Sequence, residues 1–310
     1  MKIKVIIAAI AAATSTAALA QAVGFATLPP GSLNHTTASA VAKTLKERAG
    51  INMLVQPTAG DNVIIPMVNR GESTMGIANA PETAMAIKEA KQGDVRLLAV
   101  AHTLQTAFFV RKDSSLKTIA DMKGKRVALG YSAMRTIDLL TRAMLATAGL
   151  TERDVQAVRV PNVVRSADDF ASGAADMFFF AFGGPKVREV DASIPLRVLE
   201  IDEKGMAAAR KVTPYGFLTQ VQPGPIFIGV EKPMKVYSFD NLFLVNAKVS
   251  DDMVYKILDT LEKNKADLVA VQPVLRAFSA ANGYKKYDMP YHPGALKYYK
   301  EHNIQAKSLE

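Results

Sequence analysis

The sequence predicts an α/β protein with two similar lobes. The same order of features occurs twice, about a hundred residues apart: an apolar strand, a proline, a polar loop, a helix, a glycine and a second apolar strand. The first copy covers residues 54–78 and the second covers residues 158–181, and in each a methionine (Met75 or Met177) opens the second strand four positions after the glycine. Each copy predicts a βαβ unit with parallel strands. Two such units favour two lobes with a ligand cleft between them; chance similarity within one long sheet is the alternative.

The first twenty residues predict a secretory signal rather than part of the fold. Residues 1–4 are basic, residues 5–13 form an apolar run, and residues 18–20 form a small-residue cleavage site. The apolar run is too short to span a bilayer. We therefore expect cleavage near Ala20 and a periplasmic protein, with a retained membrane anchor as the alternative.

The composition excludes several kinds of site. The chain has no cysteine and only four histidines, none in a close metal-ligand pair, so we expect no disulfide, no metal site and no cofactor. The formal net charge is +9, or about +7 without Lys2 and Lys4, which suits the attraction of anions. The basic residues are scattered among acids rather than clustered with aromatic residues, so nucleic acid is not an expected partner.

The first lobe begins with a strand at residues 23–28, followed by a helix whose apolar positions recur from Ala38 to Leu45. Gly50 ends that helix, and the first βαβ unit follows. A helix at 83–91 and a strand at 95–101 come next in this lobe.

Residues 107–111 predict the strand that leaves the first lobe. A short helix at 118–122, a strand at 126–129 and a helix with an apolar face from Ile137 to Ala148 precede the second βαβ unit. Residues 213–229 contain the richest cluster of prolines and glycines and predict a turn region.

A strand at 238–246 returns the chain to the first lobe, where the helical C-terminal third should pack. The chain therefore crosses between the lobes near 104–112 and near 225–240. The predicted division is a signal segment of residues 1–20, a first lobe of residues 21–107 and 236–310, and a second lobe of residues 108–235.

Four stretches of the sequence match motifs of one known family. The strongest matches are residues 252–258 and 291–299. Residues 56–60 resemble a proline-threonine-glycine loop, and residues 122–130 look like the turn and strand that open a second lobe. Together these stretches resemble the TAXI family, the solute-binding subunits of TRAP transporters. The resemblance implies the type II periplasmic binding protein fold, with two α/β lobes, a central cleft and β-strand hinges.

The resemblance also implies a function. The protein would capture a small organic anion, a carboxylate or an amino acid, and deliver it to TRAP transporter membrane subunits. We expect a monomer without enzymatic activity, because the sequence has no nucleophile-elbow serine and no glycine-rich phosphate loop. Two alternatives are a binding protein of an ABC importer, of the sulfonate, nitrate or thiamine-precursor type, and a ligand-presenting partner of a sensor kinase.

Four polar loops, residues 32–37, 58–62, 130–136 and 181–185, should meet at the carboxyl ends of the strands, where helix N-termini present N–H groups suited to carboxylates. Arg135 could hold a carboxylate through two parallel hydrogen bonds, and Phe182 could pack on an apolar part of the ligand. Helix capping, solvated charge and core packing are the alternative roles of these residues. The candidate ligand-binding residues are Asn34, His35, Thr36, Thr58, Gly60, Asn62, Ser132, Arg135, Thr136, Arg165, Phe182 and Gly183.

Three features of these loops depart from the family pattern. Residues 31–35 lack the usual second glycine and the aromatic residue, and Asp61 stands where a serine is common. The third loop has lost its glycine-serine-glycine character. Because these departures fall in the predicted ligand site, a glutamate-type ligand is not carried over to this chain.

Overall fold

The computed structural model describes residues 23–213 and 216–309, and the predicted signal segment lies outside them. Within these residues no helix is both long and apolar enough to cross a membrane. The strands are β1 (Val23–Thr27), β2 (Met53–Pro57), β3 (Met75–Asn79), β4 (Val95–Arg111), β5 (Arg126–Leu129), β6 (Gln156–Arg159), β7 (Phe178–Ala181), β8 (Leu196–Val198), β9 (Phe217–Val221) and β10 (Met234–Asn246).

Helices follow or separate these strands along the chain. They are α1 (Leu33–Ala49), α2 (Asp61–Arg70), α3 (Ala80–Lys88), α4 (Arg135–Thr147), α5 (Val163–Ala171), α6 (Pro185–Ser193), α7 (Met206–Val212), α8 (Asp251–Lys263), α9 (Lys265–Val271), α10 (Ala280–Gly283) and α11 (Pro293–Glu301). We call residues 23–107 and 236–309 the first half, and residues 108–213 and 216–235 the second half.

Both predicted βαβ units are confirmed. In the first half, β2 and β3 pair in parallel with β1, which lies between them. In the second half, β6 pairs in parallel with β5, and Val127 of β5 forms a parallel bridge to Met177 at the start of β7. The strand order 2-1-3 is thus repeated as 6-5-7. Gly71 and Gly173 follow the two unit helices with φ of 74° and 80°, in the left-handed region that favours glycine.

Two long antiparallel strands join the halves. β4 has 17 residues and β10 has 13, and they pair along most of their length. β3 pairs with β10 and β7 pairs with β4, so the sheet runs on from one half into the other. β4 and β10 overlap the two segments, near 104–112 and near 225–240, where the sequence predicts that the chain crosses between lobes.

Two strand predictions were wrong, and pairing with β10 explains both. The predicted break between the strands at 95–101 and 107–111 is absent from β4, because residues 102–106 pair with β10 and stay extended. The predicted turn region at 213–229 contains β9, which pairs antiparallel with the first part of β10. Backbone hydrogen bonds to β10 hold both segments in an extended conformation, and local composition does not reveal that partner strand.

The C-terminal helices pack on the first half, as predicted. Ile257, Leu258 and Leu261 of α8 are buried in one cluster with Phe25 of β1 and Phe243 of β10. Helices α8 and α9 also contact α1. These helices therefore complete a hydrophobic core of the first half.

Candidate functional site

A small cavity of about 40 Å³ lies between the two halves. Its volume is enough for about three water molecules. The carboxyl ends of β1, β3 and β7 and the first residues of helices α1, α2, α4 and α5 surround it. Its lining is Leu28, Ser32, Leu33, Asn34, Asp61, Asn79, Leu104, Thr106, Met134, Ile137, Val163, Phe179, Phe180, Ala181 and Phe239.

Every polar side chain in this lining comes from the first half. We call this set the polar wall: Ser32, Asn34, Asp61, Asn79 and Thr106. The Asn34 amide oxygen accepts a hydrogen bond from Asn241 Nδ2 at 2.7 Å. Asp61 Oδ2 accepts one from Asn79 Nδ2 at 2.8 Å, whereas Asp61 Oδ1 has no partner among the described residues. The polar wall therefore includes a residue with a buried carboxyl oxygen that has no hydrogen-bond partner among the described residues.

The buried carboxyl of Asp61 favours its protonated form. Asp61 is 1% exposed, and burial raises its pKa to about 8, with the negative charge of Glu82 as the next cause. Hydrogen bonds from the side chain and from the backbone of Asn79 lower the pKa of Asp61 but are weaker. In the empty site the carboxyl is thus largely neutral at pH 7, because burial penalises the charged form.

The second half contributes only apolar side chains to the lining. We call this set the apolar wall: Met134, Ile137, Val163, Phe179, Phe180 and Ala181. Phe179, Phe180 and Ala181 end the buried strand β7, and Met134 and Ile137 stand at the start of α4. The cavity therefore suits a solute with a polar end and an apolar body.

Several helix N-termini around the cavity are capped by the chain's own side chains. Ser32 Oγ accepts from the His35 N–H at 3.1 Å at the start of α1. Asn79 Oδ1 accepts from the Glu82 N–H at 2.8 Å at the start of α3, and Asn162 Oδ1 accepts from the Arg165 N–H at 3.0 Å at the start of α5. Of these three N–H groups, only the one at the start of α1 lies in a loop that the sequence analysis assigned to an anionic ligand.

Helix α4 is capped from the opposite half. Its N-terminus has no side-chain cap within its own segment. Glu82, buried on α3 of the first half, instead accepts the backbone N–H of Thr136 at 2.9 Å and also contacts the Thr136 hydroxyl. A carboxylate at this position satisfies a free N–H group and interacts favourably with the helix dipole.

Three further contacts join the halves beside the cavity. A Cβ atom on Gly60 would lie 1.7 Å from the Ala133 carbonyl oxygen, so these two backbones touch. Asn62 Nδ2 lies 3.5 Å from the Ser132 carbonyl oxygen. On the other side, the N–H of Lys186 donates to the carbonyl of Gly31 at 3.1 Å. A solute larger than the cavity can enter only if such contacts separate.

The structure brings five of the twelve predicted site residues to the cavity or its rim. Asn34 lines the cavity itself. Gly60 and Thr136 form the contacts between the halves described above, and Asn62 and Ser132 lie at the exposed edge of the same junction.

The other seven predicted residues do not line the cavity. His35 is half-buried, which lowers its pKa, and Thr36 accepts a hydrogen bond from Gln272 at 2.5 Å. The Thr58 hydroxyl donates to the Gly60 carbonyl at 3.3 Å. Their role in ligand binding stays a prediction.

The two predicted arginines and the two predicted residues of the fourth loop do not line the cavity either. Arg135 is exposed, and Arg165 is 61% exposed with its Nε 2.8 Å from Asp169 Oδ1. Phe182 is buried against the rings of Phe109 and Phe227, each with a centroid distance of 5.3 Å. Gly183 has φ of 79° and packs close to Val274 and Leu33.

The sequence analysis missed most of the lining. Asp61 was noted only as a departure from the family, although an acid directly after Gly60 at the head of an apolar helix is a visible signal. Asn79 ends the fully buried strand β3, and Phe179 and Phe180 lie in a run of three phenylalanines in β7. Polar or aromatic residues at the carboxyl ends of buried strands could have identified these positions.

A larger groove of about 590 Å³ lies on the opposite face of β4, where Thr103 and Gln105 point away from the cavity. Lys285, which lines it, is bound to Asp240 at 2.5 Å. His102, also in its lining, is buried, and that burial lowers its pKa to about 4. The groove is away from the carboxyl ends of the parallel strands, so the cavity remains the candidate site.

The fold and the position of the cavity define a class of protein. Two βαβ-containing halves, joined by long strands and enclosing a cavity at their strand ends, form the fold of type II periplasmic solute-binding proteins. This confirms the fold class that the sequence predicts. Residues 25–302 match the NMT1-like family, and the chain belongs to that family.

Solved structures to which this chain is similar come from several bacteria. PhnD1 from Prochlorococcus marinus, in complex with methylphosphonate, is 11% identical with a TM-score of 0.57, and 92% of this chain and 100% of that chain are covered. The amino acid ABC transporter substrate-binding protein AbpA from Streptococcus pneumoniae, bound to L-arginine, is 13% identical with a TM-score of 0.50 and coverage of 83% and 95%. The aliphatic sulphonate-binding protein SsuA from Escherichia coli is 18% identical with a TM-score of 0.49 and coverage of 82% and 80%.

Proposed function

We propose that this protein is an extracytoplasmic solute-binding protein that encloses a small solute between its halves and delivers it to a membrane transporter. The observation that carries the proposal is the cavity itself. Both halves line it at the carboxyl ends of their strands, and its lining includes Asp61, whose buried Oδ1 has no hydrogen-bond partner among the described residues. Membership of the NMT1-like family and the shared fold support the same function.

The two halves are proposed to act as lobes with the boundaries that the sequence predicts. β4 and β10 carry the chain across the boundary, so bending of these strands would open the cavity. Two register irregularities in their pairing, between Asn241 and Leu242 and between Phe243 and Leu244, lie within the first half. Opening would break the contacts of Gly60 and Glu82 with the second half.

The kind of membrane partner that receives the solute is a second, more specific part of the proposal. Two of the similar structures are binding proteins of amino acid ABC transporters, so an ABC permease is the first partner to test. TRAP membrane subunits, which the sequence resemblance favours, are the second, and a sensor kinase is the third. A neighbouring gene pair for an ATPase and a permease would support the first choice, and a fused TRAP membrane subunit would support the second.

Binding without catalysis is proposed for this site. The lining offers one carboxyl, two amides and two hydroxyls, and contains no histidine, lysine or arginine among the described residues. Nucleophilic catalysis needs a base placed beside the nucleophile. Asp61 contacts an amide rather than a hydroxyl, so the lining does not form such a pair.

A melting-temperature screen tests the proposal. The purified protein is heated with carboxylates, amino acids, amines and neutral solutes, and each hit is measured by calorimetry. A true ligand should bind one-to-one and raise the melting temperature by a few degrees or more, because it binds the folded state alone. If none of these solute classes shifts the melting curve, the proposed function is wrong.

A further inference from the structure

The larger groove lies on the face of β4 that is turned away from the cavity. Its volume is about 590 Å³, against about 40 Å³ for the cavity. Leu104 and Thr106 line the cavity, whereas Thr103 and Gln105 line the groove. This is expected, because successive side chains of a strand point to opposite faces. One strand thus separates the cavity from the groove.

The side chains of the groove that are charged at pH 7 are all basic. They are Arg276, Lys285 and Lys307, which we call the basic rim, and among the described residues the lining contains no aspartate or glutamate. Lys285 Nζ donates to buried Asp240 at 2.5 Å, which leaves two of its three N–H groups for other acceptors. Arg276 and Lys307 form no ion pair with any described residue. These two unpaired charges favour an anion.

Contacts within the chain hold the basic rim together. The backbones of Lys285 and Lys307 form a parallel bridge. The Lys307 ammonium donates to Asn282 Oδ1 at 2.6 Å, and Asn282 Nδ2 donates to the carbonyl of Ala277, next to Arg276, at 3.3 Å. Like charges from separate segments are thereby held in one lining, and no acid of that lining offsets their repulsion. A bound anion would offset it.

The second half supplies apolar side chains to the same groove. Ile226 and Phe227 belong to its lining, and both are half-buried. The ring of Phe227 makes an edge contact with the ring of Phe182, with centroids 5.3 Å apart. A Cβ atom on Gly183 would lie 2.6 Å from Val274 of the first half and 3.5 Å from Ile226 of the second, so the halves meet beside the groove. A ligand that fills the groove would contact both halves.

From these observations we propose that the groove is a second binding site, for a small organic anion. The acidic head of the anion, a carboxylate or a phosphate, binds the basic rim of Arg276, Lys285 and Lys307. Its apolar body packs on Ile226 and Phe227. The site is separate from the cavity and does not depend on which solute the cavity holds.

The position of the groove couples it to closure of the cavity, a consequence that rests on the proposed function. Bending of β4 and β10 that opens the cavity brings the halves closer together on the opposite face and narrows the groove. An anion in the groove therefore favours the form in which the cavity is closed. By reciprocity, closure of the cavity strengthens binding of the anion by the same factor.

Calorimetry with four solutes that carry the same ring tests the site. Phenyl phosphate, benzoate, benzyl alcohol and benzylamine differ in charge and share an apolar body. Phenyl phosphate should bind one-to-one and at least about tenfold more tightly than benzyl alcohol, and benzylamine should bind most weakly. Since Arg276 and Lys307 are exposed, the affinity for phenyl phosphate should fall severalfold between about 0.05 M and about 0.5 M salt. Benzoate against phenyl phosphate distinguishes the two kinds of head.

The double variant Arg276→Gln with Lys307→Gln locates the site. It removes both unpaired charges of the basic rim, and we expect it to lose at least about tenfold in affinity for phenyl phosphate. The matched control is Arg188→Gln with Lys300→Gln, which removes the same net charge from exposed positions on α6 and α11. This control should bind phenyl phosphate as the wild type does.

Gly60→Ala tests the coupling without a solute in the cavity. Its Cβ atom would lie 1.7 Å from the carbonyl oxygen of Ala133 and so hold the halves apart beside the cavity. Phenyl phosphate should then bind about fivefold or more weakly than to the wild type. Gly93→Ala is the control, since its Cβ atom would lie 3.9 Å from the carbonyl oxygen of Lys91, an ordinary contact distance.

The outcomes separate the anion site, its coupling and the proposed function. The anion site is wrong if neither phenyl phosphate nor benzoate binds, if benzyl alcohol binds as tightly as phenyl phosphate, or if the double variant and its control have equal affinity. Wild-type affinity in Gly60→Ala, with the double variant impaired, overturns the coupling alone. If the melting-temperature screen finds no solute that the double variant still binds, the proposed function is wrong and the anion site stands.

Discussion

The two walls of the cavity differ in chemistry and therefore in what they contribute. The polar wall of the first half presents Asp61 and two amides, whereas the apolar wall of the second half presents Phe179, Phe180 and aliphatic side chains. Hydrogen-bonding groups discriminate between solutes, because an unmatched buried polar group is costly. Apolar groups mainly gain free energy from leaving water. The first half is thus suited to recognition and the second half to closure.

The difference also affects the empty protein. Closing over an empty cavity buries a carboxyl oxygen of Asp61 without a partner, at a cost of about 1–3 kcal/mol. The apolar wall and the contacts of Gly60 and Glu82 stabilise the same closed form. The balance between the cost of the unpaired oxygen and the gain from these contacts decides how often the halves separate when no ligand is bound. Substitutions at the contacts or in the apolar wall shift that balance.

The largest effect is expected from Gly60→Ala, which prevents closure without changing either wall. The new Cβ would lie 1.7 Å from a backbone oxygen of Ala133, so the halves cannot meet as they do now. The backbone of Gly60 is extended, with φ of 178°, so alanine is not strained there. We expect ligand affinity to fall by about a hundredfold or more, and small-angle scattering should show no compaction on adding ligand.

Gly224→Ala is the control for this variant. A Cβ at Gly224 meets nothing within 4 Å, so its affinity and scattering should match those of the wild type. Wild-type affinity in Gly60→Ala would show that the solute binds without closure of the contact between Gly60 and Ala133. The role of the second half in closure would then be wrong.

The next largest effect is expected at Glu82, which lies in the first half and accepts a hydrogen bond from Thr136 of the second half. Glu82→Ala removes the acceptor of the Thr136 N–H and leaves the start of α4 without its cap. The loss of one charge-assisted hydrogen bond should weaken closure by about 1.5–3 kcal/mol. Ligand affinity measured by calorimetry should fall about tenfold to a hundredfold.

Glu82→Gln separates charge from hydrogen bonding at this position. It keeps an oxygen for the Thr136 N–H and should lose less affinity than Glu82→Ala. Glu47→Gln, exposed on α1, serves as the control. Equal affinity in the wild type and Glu82→Ala would contradict the role of Glu82 in closure.

A smaller effect is expected from Ile137→Val on the apolar wall. The substitution removes one methylene group from a buried side chain, and affinity for the apolar body should fall by about 0.5–1.5 kcal/mol. The pH dependence of binding should not change, because the titrating group lies on the other wall. A changed pH profile in Ile137→Val would show that the two walls are not independent.

The smallest effect is on the pH dependence of the empty protein. The pKa of Asp61 is about 8 when folded and about 4 when exposed to water. A raised carboxyl pKa contributes stability that is complete below about pH 4 and is lost as the pH rises towards 8. Between about pH 5 and pH 6, this difference of one proton is worth about 1.4 kcal/mol, so the melting temperature of the wild type should fall by a few degrees relative to that of Asp61→Asn. Parallel curves for the two proteins would contradict the buried, protonated state of Asp61.

The fold could be predicted from the sequence because its signals are local and repeated. The βαβ units are marked by proline, glycine and apolar runs, and the C-terminal helices by their periodicity. The continuity of β4 could not be predicted, since it depends on pairing with β10 far along the chain. Likewise, β9 lies within a segment rich in turn residues and is fixed by its partner.

The site was harder to predict because the place of a loop in the sequence does not show which of its polar atoms form hydrogen bonds within the protein. The loop before α4 was placed correctly, yet Arg135 is exposed and its neighbour Thr136 is buried against Glu82. Adjacent residues at a helix start point in different directions, so one inward position does not imply the next. The partner of Thr136 is 54 positions away in sequence, which no local pattern indicates.

The cap that Glu82 places on α4 has a consequence for measurement. The Thr136 amide is protected by a group of the opposite half, so its exchange with deuterated solvent depends on how often the halves part. Amides in the middle of α4 are protected by the helix itself and provide an internal reference. This single amide thus reports the opening frequency of the unlabelled protein, and a ligand that holds the halves together would slow its exchange without altering that reference.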